Sequence, residues 1–238
     1  MRSPSLSRVA LGFAGASLLL ASCSSSSSPS AASLIQKSQA AVAGATALHY
    51  IDVTTIGAQS QSVTGSVSAT QADVVLLLDK TPQLEVRLVG TTIYLQTTSA
   101  SVLSSDLGLS STVAPQWTSK WISVISGDAP YNTLLNAISI TAEVNPFYPT
   151  ASKATVLDSR TIKGIETTPL TANTTSASAA KDSTIFLNTK DLLPVAATVI
   201  AKSATATQTQ EVVFQHWNVP FTVAVPEGAT ELSTIPTT

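Results

Sequence analysis

The sequence predicts an α+β domain built on an antiparallel sheet. Short segments rich in Val, Ile and Thr recur along most of the chain, and short turn-forming stretches separate them. Helical patterns occur at the start and in the middle of the chain. Strands joined by short turns, with helices placed apart from them, are typical of the α+β class.

The clearest local signal is a β-hairpin over residues 84–97. Residues 84–89 alternate between apolar and polar, and Gly90-Thr91 is a Gly-X pair suited to a type II′ turn. Pairing Val89 with Thr92 gives one apolar and one polar face, and a shift by one residue would mix them. We expect one set of side chains to point inward and the other to point outward or lie at an edge. The inward set is Leu84, Val86, Leu88, Ile93 and Leu95, and the outward set is Glu85, Arg87, Tyr94 and Gln96.

Two longer helices are predicted from their caps and their apolar spacing. Ser33 begins an S-x-x-Q capping box, which predicts a helix from Ser33 to near Gly44. Asp128 suits an N-cap and predicts a second helix over residues 129–140. Apolar side chains at i, i+3, i+4 and i+7 give this second helix one stripe, formed by Tyr131, Leu134, Leu135 and Ile138.

Further strands follow from β-branched and apolar runs between turn signals. Residues 72–78 are nearly all apolar, which predicts a strand that is buried on both faces or lines a cavity. A short helix is predicted over residues 101–109, with turns at 162–164 and 190–194. The other predicted strands are 49–55, 60–70, 122–125, 154–160, 165–171, 183–189, 195–202, 210–217 and 221–225.

The N-terminus reads as the signal peptide of a bacterial lipoprotein. Arg2 and Arg8 precede an apolar run over residues 9–20, and this run is too short to span a bilayer. The L-A-S-C sequence at 20–23 resembles the lipobox, in which the cysteine receives a diacylglycerol and the signal is cut before it. We expect a signal peptide at 1–22, a lipidated Cys23 with a Ser-rich tether at 23–32, and one domain at 33–238. An ordinary signal peptide with a chance cysteine is the alternative.

Composition limits the possible partners. Charged residues make up 11% of the chain, and its 12 Lys and Arg residues are not clustered. A nucleic-acid partner is therefore not expected. Cys23 is the only cysteine, so the fold contains no internal disulfide. We expect an exported protein that is held on the outer face of the bacterial cell membrane by its lipid.

The residues that carry chemistry in enzymes are sparse. His49 and His216 lack metal-ligand spacing, and no H-E-x-x-H, G-x-S-x-G or P-loop motif occurs. Ser178 and Lys181 match S-x-x-K, but the match lies in a Ser/Thr/Ala-rich loop without the companion motifs. We expect no catalytic residue, no metal site, no cofactor and no enzymatic activity.

The order of elements resembles the actinobacterial LppX/LprG lipoprotein family, whose fold is like that of the LolA lipoprotein carrier. A lipobox, a Ser-rich tether, an Ala-rich helix, a β-meander and the amphipathic helix follow in that family's order. The local motifs that carry the resemblance are Ile93-Tyr94-Leu95, Lys120-Trp121-Ile122, Asp191-Leu192-Leu193-Pro194 and Trp217-Asn218-Val219-Pro220.

The resemblance implies a strongly curved antiparallel half-barrel whose concave face is covered by helices around an apolar cavity. Members of the family carry acylated lipids or glycolipids across the cell envelope. It therefore implies a monomeric lipid-binding lipoprotein, with a lipid or glycolipid ligand, the membrane and a membrane transporter as candidate partners. The expected cavity wall is Leu76, Leu78, Leu84, Val86, Leu88, Ile93, Leu95, Leu134, Leu135 and Ile138.

Two alternatives remain open from the sequence. A filled core would make the protein a non-enzymatic adaptor or assembly factor in the envelope, because the same apolar faces suit a solid core and a cavity wall. An exported hydrolase lacks a recognisable site. The three tryptophans, Trp117, Trp121 and Trp217, fit either a cavity mouth or core packing.

Overall fold

A single curved, unclosed sheet dominates the structure. The computed structural model describes residues 29–175, 179–203 and 205–236. The helices in these residues are α1 (Ala31–Ala43), α2 (Ala100–Leu107), α3 (Ala114–Trp117), α4 (Tyr131–Ala137) and α5 (Ile140–Val144), with short 3₁₀ helices at Asn145–Phe147, Ala151–Lys153 and Leu232–Thr234. The strands are β1 (Ala47–Ile56), β2 (Gln59–Ser68), β3 (Gln71–Leu78), β4 (Thr81–Val89), β5 (Thr92–Thr97), β6 (Ile122–Ile125), β7 (Thr155–Val156), β8 (Arg160–Ile162), β9 (Ile165–Thr175), β10 (Ala179–Asn188), β11 (Pro194–Ser203), β12 (Thr207–Gln215) and β13 (Thr230–Glu231).

The strand order is β13-β6-β5-β4-β3-β2-β1-β12-β11-β10-β9-β7, and β8 also pairs with β9. Neighbouring strands are antiparallel except β13, which runs parallel to β6. The strand β1 lies near the middle, between β2 and β12, so the first and last long strands meet there. The predicted α+β class and the half-barrel are confirmed.

The predicted hairpin is confirmed in its register and in its faces. Val89 pairs with Thr92, and Leu88 pairs with Ile93. Gly90 has a positive φ of 64°, and Thr91 does not, as a type II′ turn requires. The inward residues Val86, Leu88, Ile93 and Leu95 are buried and Leu84 is half-buried, whereas the four outward residues are half-buried.

The first helix begins earlier than the sequence predicted. Ser30 is the N-cap, and its hydroxyl accepts a hydrogen bond from the Ser33 N–H at 3.2 Å. This earlier start places Ala31 as well as Leu34 in the core. The predicted cap at Ser33 is therefore wrong, and the last two residues of the predicted tether are helical. The helix ends at Gly44, as predicted.

The predicted helix over residues 129–140 is broken into α4 and α5. Asp128 does not cap it, because its carboxylate accepts a hydrogen bond from the Ile125 N–H at 2.8 Å. Ser139 adopts an extended conformation and caps α5 by accepting from the Ala142 N–H at 3.2 Å. A serine that bonds the backbone locally competes with a continuous helix, which explains the break.

Two predicted strands also differ. The strand expected over 154–160 is interrupted, because residues 157–159 oppose only residues 168–169 of β9 and the extra residue forms a bulge. The segment 221–225 is not a strand. It crosses the outer face of the sheet, where the Val223 N–H donates to the side chain of Gln71 instead of to a neighbouring strand.

Candidate functional site

The inner face of the sheet is closed near the start of β1. Six side chains from β1 to β6 form a cross-strand row here, and each is at most 1% exposed. They are Leu48, Val67, Ala72, Leu88, Ile93 and Val124. This half of the inner face is therefore a packed core.

The same face opens towards the end of β1. Four positions further along the strand, Asp52 begins a second cross-strand row that continues through Val63, Leu76 and Leu84, and all four are half-buried. Val74 on β3 is also half-buried. We refer to the aliphatic residues Val63, Val74, Leu76 and Leu84 as the open patch.

The row that contains Asp52 is buried where it continues from β1 into β12, β11, β10 and β9. Val212, Ala197, Ile185 and Leu170 continue it through β12 to β9 and are at most 1% exposed. The 3₁₀ helix Asn145–Phe147 lies against β10 and β11, and the Phe147 ring meets Phe214 edge-on at 5.8 Å. The open part of this row is thus confined to β2, β3 and β4, beside β1.

The predicted wall residues divide between these regions. Leu76 and Leu84 belong to the open patch, and Leu78 beyond it is 44% exposed. Leu134 and Leu135 of α4 are half-buried against the core. The remaining wall residues are buried, namely Val86, Leu88, Ile93, Leu95 and Ile138. Contact of any of them with a ligand stays a prediction.

A polar cluster borders the open patch, and the sequence analysis did not identify it. It consists of Tyr50, Asp52, Gln210 and Glu143, from β1, β12 and α5. The Gln210 side-chain amide donates to Asp52 Oδ2 at 2.6 Å. Tyr50 Oη and Asp52 Oδ1 are buried and have no hydrogen-bond partner. The alternation along β1 places both residues on the inner face and is the one sequence signal that could have indicated them.

The Tyr50 side chain lies across the neighbouring strand. Its ring covers Gly65 of β2, where an added Cβ would lie within 2.6 Å of Cε1, Cζ and Oη. Gly65 pairs with Tyr50 on one side and with Val74 of the open patch on the other. The hydroxyl is therefore directed across β2 towards the open patch.

Burial favours the protonated forms of the two carboxyl groups in this cluster. It raises the pKa of Glu143 to about 7, although the nearby Tyr50 hydroxyl partly offsets this effect. Burial also raises the pKa of Asp52, against the opposing effect of the Gln210 hydrogen bond. Burial and the charge of Glu143 raise the pKa of Tyr50, yet the two groups do not meet hydrogen-bond geometry. Among the described residues, neither carboxylate forms a salt bridge.

The backbone of this half-barrel resembles two crystal structures of mycobacterial lipoproteins. Lipoprotein LppX of Mycobacterium tuberculosis gives a TM-score of 0.51 at 17% sequence identity, covering 83% of this chain and 100% of LppX. The protein has the fold of LppX. LprF of Mycobacterium bovis gives a TM-score of 0.50 at 15% identity, covering 85% of this chain and 100% of LprF. At these identities the likeness concerns the fold alone.

Sequence comparison adds nothing to this likeness, since no family model matches the chain and no curated protein matches it significantly. The resemblance to the LppX/LprG family that the sequence indicated is confirmed at the level of the fold. Within the described part of the chain, no helix is long and apolar enough to cross a membrane. Cys23 and Ser178 lie outside the described residues.

The two histidines meet on the outer face of this LppX-like sheet, although they are far apart in sequence. Their rings lie 5.4 Å apart, and His49 Nδ1 is 2.7 Å from the Ser66 hydroxyl. Burial and the neighbouring His216 lower the pKa of His49. Across the described ranges, no group of three or more His, Cys, Asp or Glu side chains could hold a metal ion.

The tryptophans pack against their surroundings. Trp217 donates its ring N–H to the Pro194 carbonyl at 2.8 Å and packs partly buried against the core, as Trp117 does. The guanidinium of Arg87 lies 5.1 Å from the centre of the Trp121 ring. Trp117 and Trp217 thus agree with core packing, whereas Trp121 contacts Arg87 on the outer face of the sheet.

Substitution of Gly65 tests the close approach of Tyr50. Gly65→Ala should lower the free energy of unfolding by about 1–3 kcal/mol, because the added methyl group overlaps the Tyr50 ring. Urea denaturation measures the effect. Gly44→Ala is the control, since its Cβ would meet atoms at 3.6 Å. An equal loss of unfolding free energy on Gly65→Ala in the wild type and in a Tyr50→Leu background would show that the Tyr50 ring is not the cause of the loss.

Glu143 should make the stability depend on pH. Its pKa of about 7 lies above the ordinary value of 4.5, so the folded state binds the proton more tightly than the unfolded chain does. The stability of the wild type therefore falls as the pH rises from about 4.5 to about 7. The free energy of unfolding of Glu143→Gln, measured relative to the wild type, should be higher at pH 8 than at pH 5 by on the order of 2 kcal/mol.

Denaturation curves at the two pH values measure this difference. Glu211 is exposed on β12 and supplies the control, because Glu211→Gln should keep the pH dependence of the wild type. An identical pH dependence in Glu143→Gln and the wild type would contradict the assignment.

Proposed function

We propose that this chain is an exported lipoprotein that binds the acyl chains of a lipid or glycolipid and carries it across the cell envelope. The observation that carries the proposal is the open patch, a half-exposed aliphatic surface on the inner face of an LppX-like half-barrel. Cys23 would anchor the chain to the outer face of the membrane. The protein would act as a monomer, without catalysis, and would exchange its lipid with the bilayer or with a membrane transporter.

The chemistry of an aliphatic surface suits acyl chains. Burial of a methylene group contributes about 0.8 kcal/mol, so a few methylenes on the open patch give useful affinity without directed polar contacts. A bilayer offers an equally apolar environment, and the net free energy of transfer from it is therefore small. A small net free energy allows a carrier to release its lipid as well as to bind it.

The proposed ligand contacts follow the burial of the wall residues. Leu76 and Leu84 offer the first contacts, and Leu134 and Leu135 of α4 are the half-buried residues on the helical side. The buried wall residues would contact a ligand only if it separated the helices from the sheet. They are Val86, Leu88, Ile93, Leu95 and Ile138, while Leu78 would meet the ligand at the exposed end of β3.

Two adjacent leucines of β3 provide a matched test. Leu76 points to the inner face and Leu77 to the outer face, and both are half-buried. Leu76→Trp should fill the open patch and displace two or more methylenes of the ligand, which lowers lipid retention about tenfold. Leu77→Trp should retain lipid as the wild type does. Native mass spectrometry of the purified protein and lipid transfer between vesicles measure both variants.

Equal lipid retention in the two variants would contradict binding at the open patch. Circular dichroism of each variant separates loss of binding from loss of the fold. If Leu76→Trp unfolds, Leu76→Ser replaces it, because a small polar side chain weakens acyl contacts without adding volume.

The anchor has a separate test. Cys23→Ala should leave the membrane fraction or remain unprocessed, because the thiol that receives the diacylglycerol is absent. Cell fractionation and the mass of the protein report the result. A Cys23→Ala protein of mature size that stays in the membrane fraction would contradict lipid anchoring at this residue.

A second candidate function is that of an adaptor with a filled core. The row at the start of β1 favours it, since side chains such as Leu48 and Ile93 are fully buried in the hydrophobic core. A mass without bound lipid, both after expression and after incubation with vesicles, would support the adaptor over the carrier.

A further inference from the structure

The polar cluster contains hydrogen-bonding capacity that the protein itself does not use. Tyr50 is 2% exposed, and its hydroxyl has no partner. Oδ1 of Asp52 is likewise buried without a partner, whereas Oδ2 is bound by Gln210. Buried polar atoms without partners are costly and rare in folded proteins. Two such atoms on one strand therefore indicate a site where a ligand supplies the missing hydrogen bonds.

The surroundings of these atoms place them beside an acyl-binding surface. Asp52 pairs directly with Val63 of the open patch, and the Tyr50 ring lies over Gly65, which pairs with Val74. A lipid with its chains on the open patch would therefore bring its head or linker to the cluster. Asp52, Gln210 and Glu143 are each half-buried, so the cluster lies at the border between the core and solvent.

The chemistry of the cluster selects among head groups. Asp52 Oδ1 and the Glu143 carboxyl accept hydrogen bonds, and the Tyr50 hydroxyl accepts or donates one. The described residues place no salt-bridge partner on either carboxylate. A phosphate would meet these oxygens without a compensating cation, which is unfavourable in a site removed from water. A neutral hydroxyl group donates a hydrogen bond to such an acceptor without bringing a further charge into the buried site.

We propose that Tyr50, Asp52 and Glu143 form a head-group subsite that accepts a neutral, hydroxyl-bearing lipid and rejects an anionic one. The inference rests on the proposed function, since it requires acyl chains on the open patch. Asp52 accepts a hydrogen bond from the lipid hydroxyl, and Tyr50 donates its own proton to the same oxygen. Gln210 is a positioning residue, because it fixes the Asp52 carboxylate through Oδ2.

Three probes with identical acyl chains test the subsite with the full-length protein. They are 1,2-dioleoylglycerol, which has a free hydroxyl; 1,2-dioleoyl-3-acetylglycerol, which is neutral without one; and dioleoyl phosphatidic acid, which is anionic. Retention after incubation with dioleoyl phosphatidylcholine vesicles that contain equal amounts of one probe each is measured by native mass spectrometry. The wild type should retain the hydroxyl probe about tenfold more than either of the others, as expected for one additional hydrogen bond.

Variants assign the preference to the cluster. Tyr50→Phe and Asp52→Asn should each reduce the ratio of hydroxyl-probe retention to acetylated-probe retention severalfold. Tyr50→Phe removes an oxygen that meets no hydrogen-bond geometry among the described residues, and circular dichroism of the variant checks that the fold is kept. Tyr94→Phe on the outer face is the matched control and should keep the wild-type preference.

The outcomes separate the two proposals. Equal retention of the three probes by the wild type, or an undiminished preference in both variants, would overturn the subsite while lipid binding stands. Retention of none of the probes would contradict the proposed function itself. A preference for phosphatidic acid would overturn the assignment of a neutral head group.

Discussion

The structure depends on how much of one long curved sheet its helices can cover. Among the described residues, thirteen strands present a continuous inner face, and the helices opposite it are short. The helix α1 has 13 residues, whereas α4 has seven and α5 has five. Burial is therefore complete in the row at the start of β1 and in the β9–β12 part of the Asp52 row, and incomplete over β2 to β4. An aliphatic surface left half-exposed loses hydrophobic free energy that a filled core would have gained. Its retention is the main physical argument for a ligand.

The polar cluster lies at the border between the covered and the open regions. A carboxylate on the inner face of a sheet is costly, and the shifted pKa values of Asp52 and Glu143 reflect that cost. Gly65 allows the cluster to exist, since any side chain there would occupy the space of the Tyr50 ring. Stability alone would favour aliphatic residues at these positions, as at Val212 in the same row. The pattern matches a site that exchanges stability for recognition.

Sequence reasoning predicted the parts of the structure that depend on local periodicity. Alternation determined the register of the hairpin, and the faces of residues 84–97 followed from it. It failed where two local hydrogen bonds compete, as at Asp128, which bonds the backbone of Ile125 instead of capping a helix. It also failed for the polar cluster, because Tyr50, Glu143 and Gln210 lie far apart in the chain. Only the curvature of the sheet and the packing of α5 bring them together, and neither is encoded in a short segment.

Under the proposed function, the combination of an aliphatic patch with a few buried polar groups suits a carrier better than a permanent lipid store. Acyl chains gain little by moving from a bilayer to the open patch, since both environments are apolar. Discrimination must therefore come from the head group, where a few hydrogen bonds change affinity by an order of magnitude. Charged pairs would discriminate more strongly but would slow release, because separating them leaves a buried charge without its partner. Under the proposed function, hydrogen bonds of this size would select a ligand at a free energy small enough to allow its release at the membrane surface.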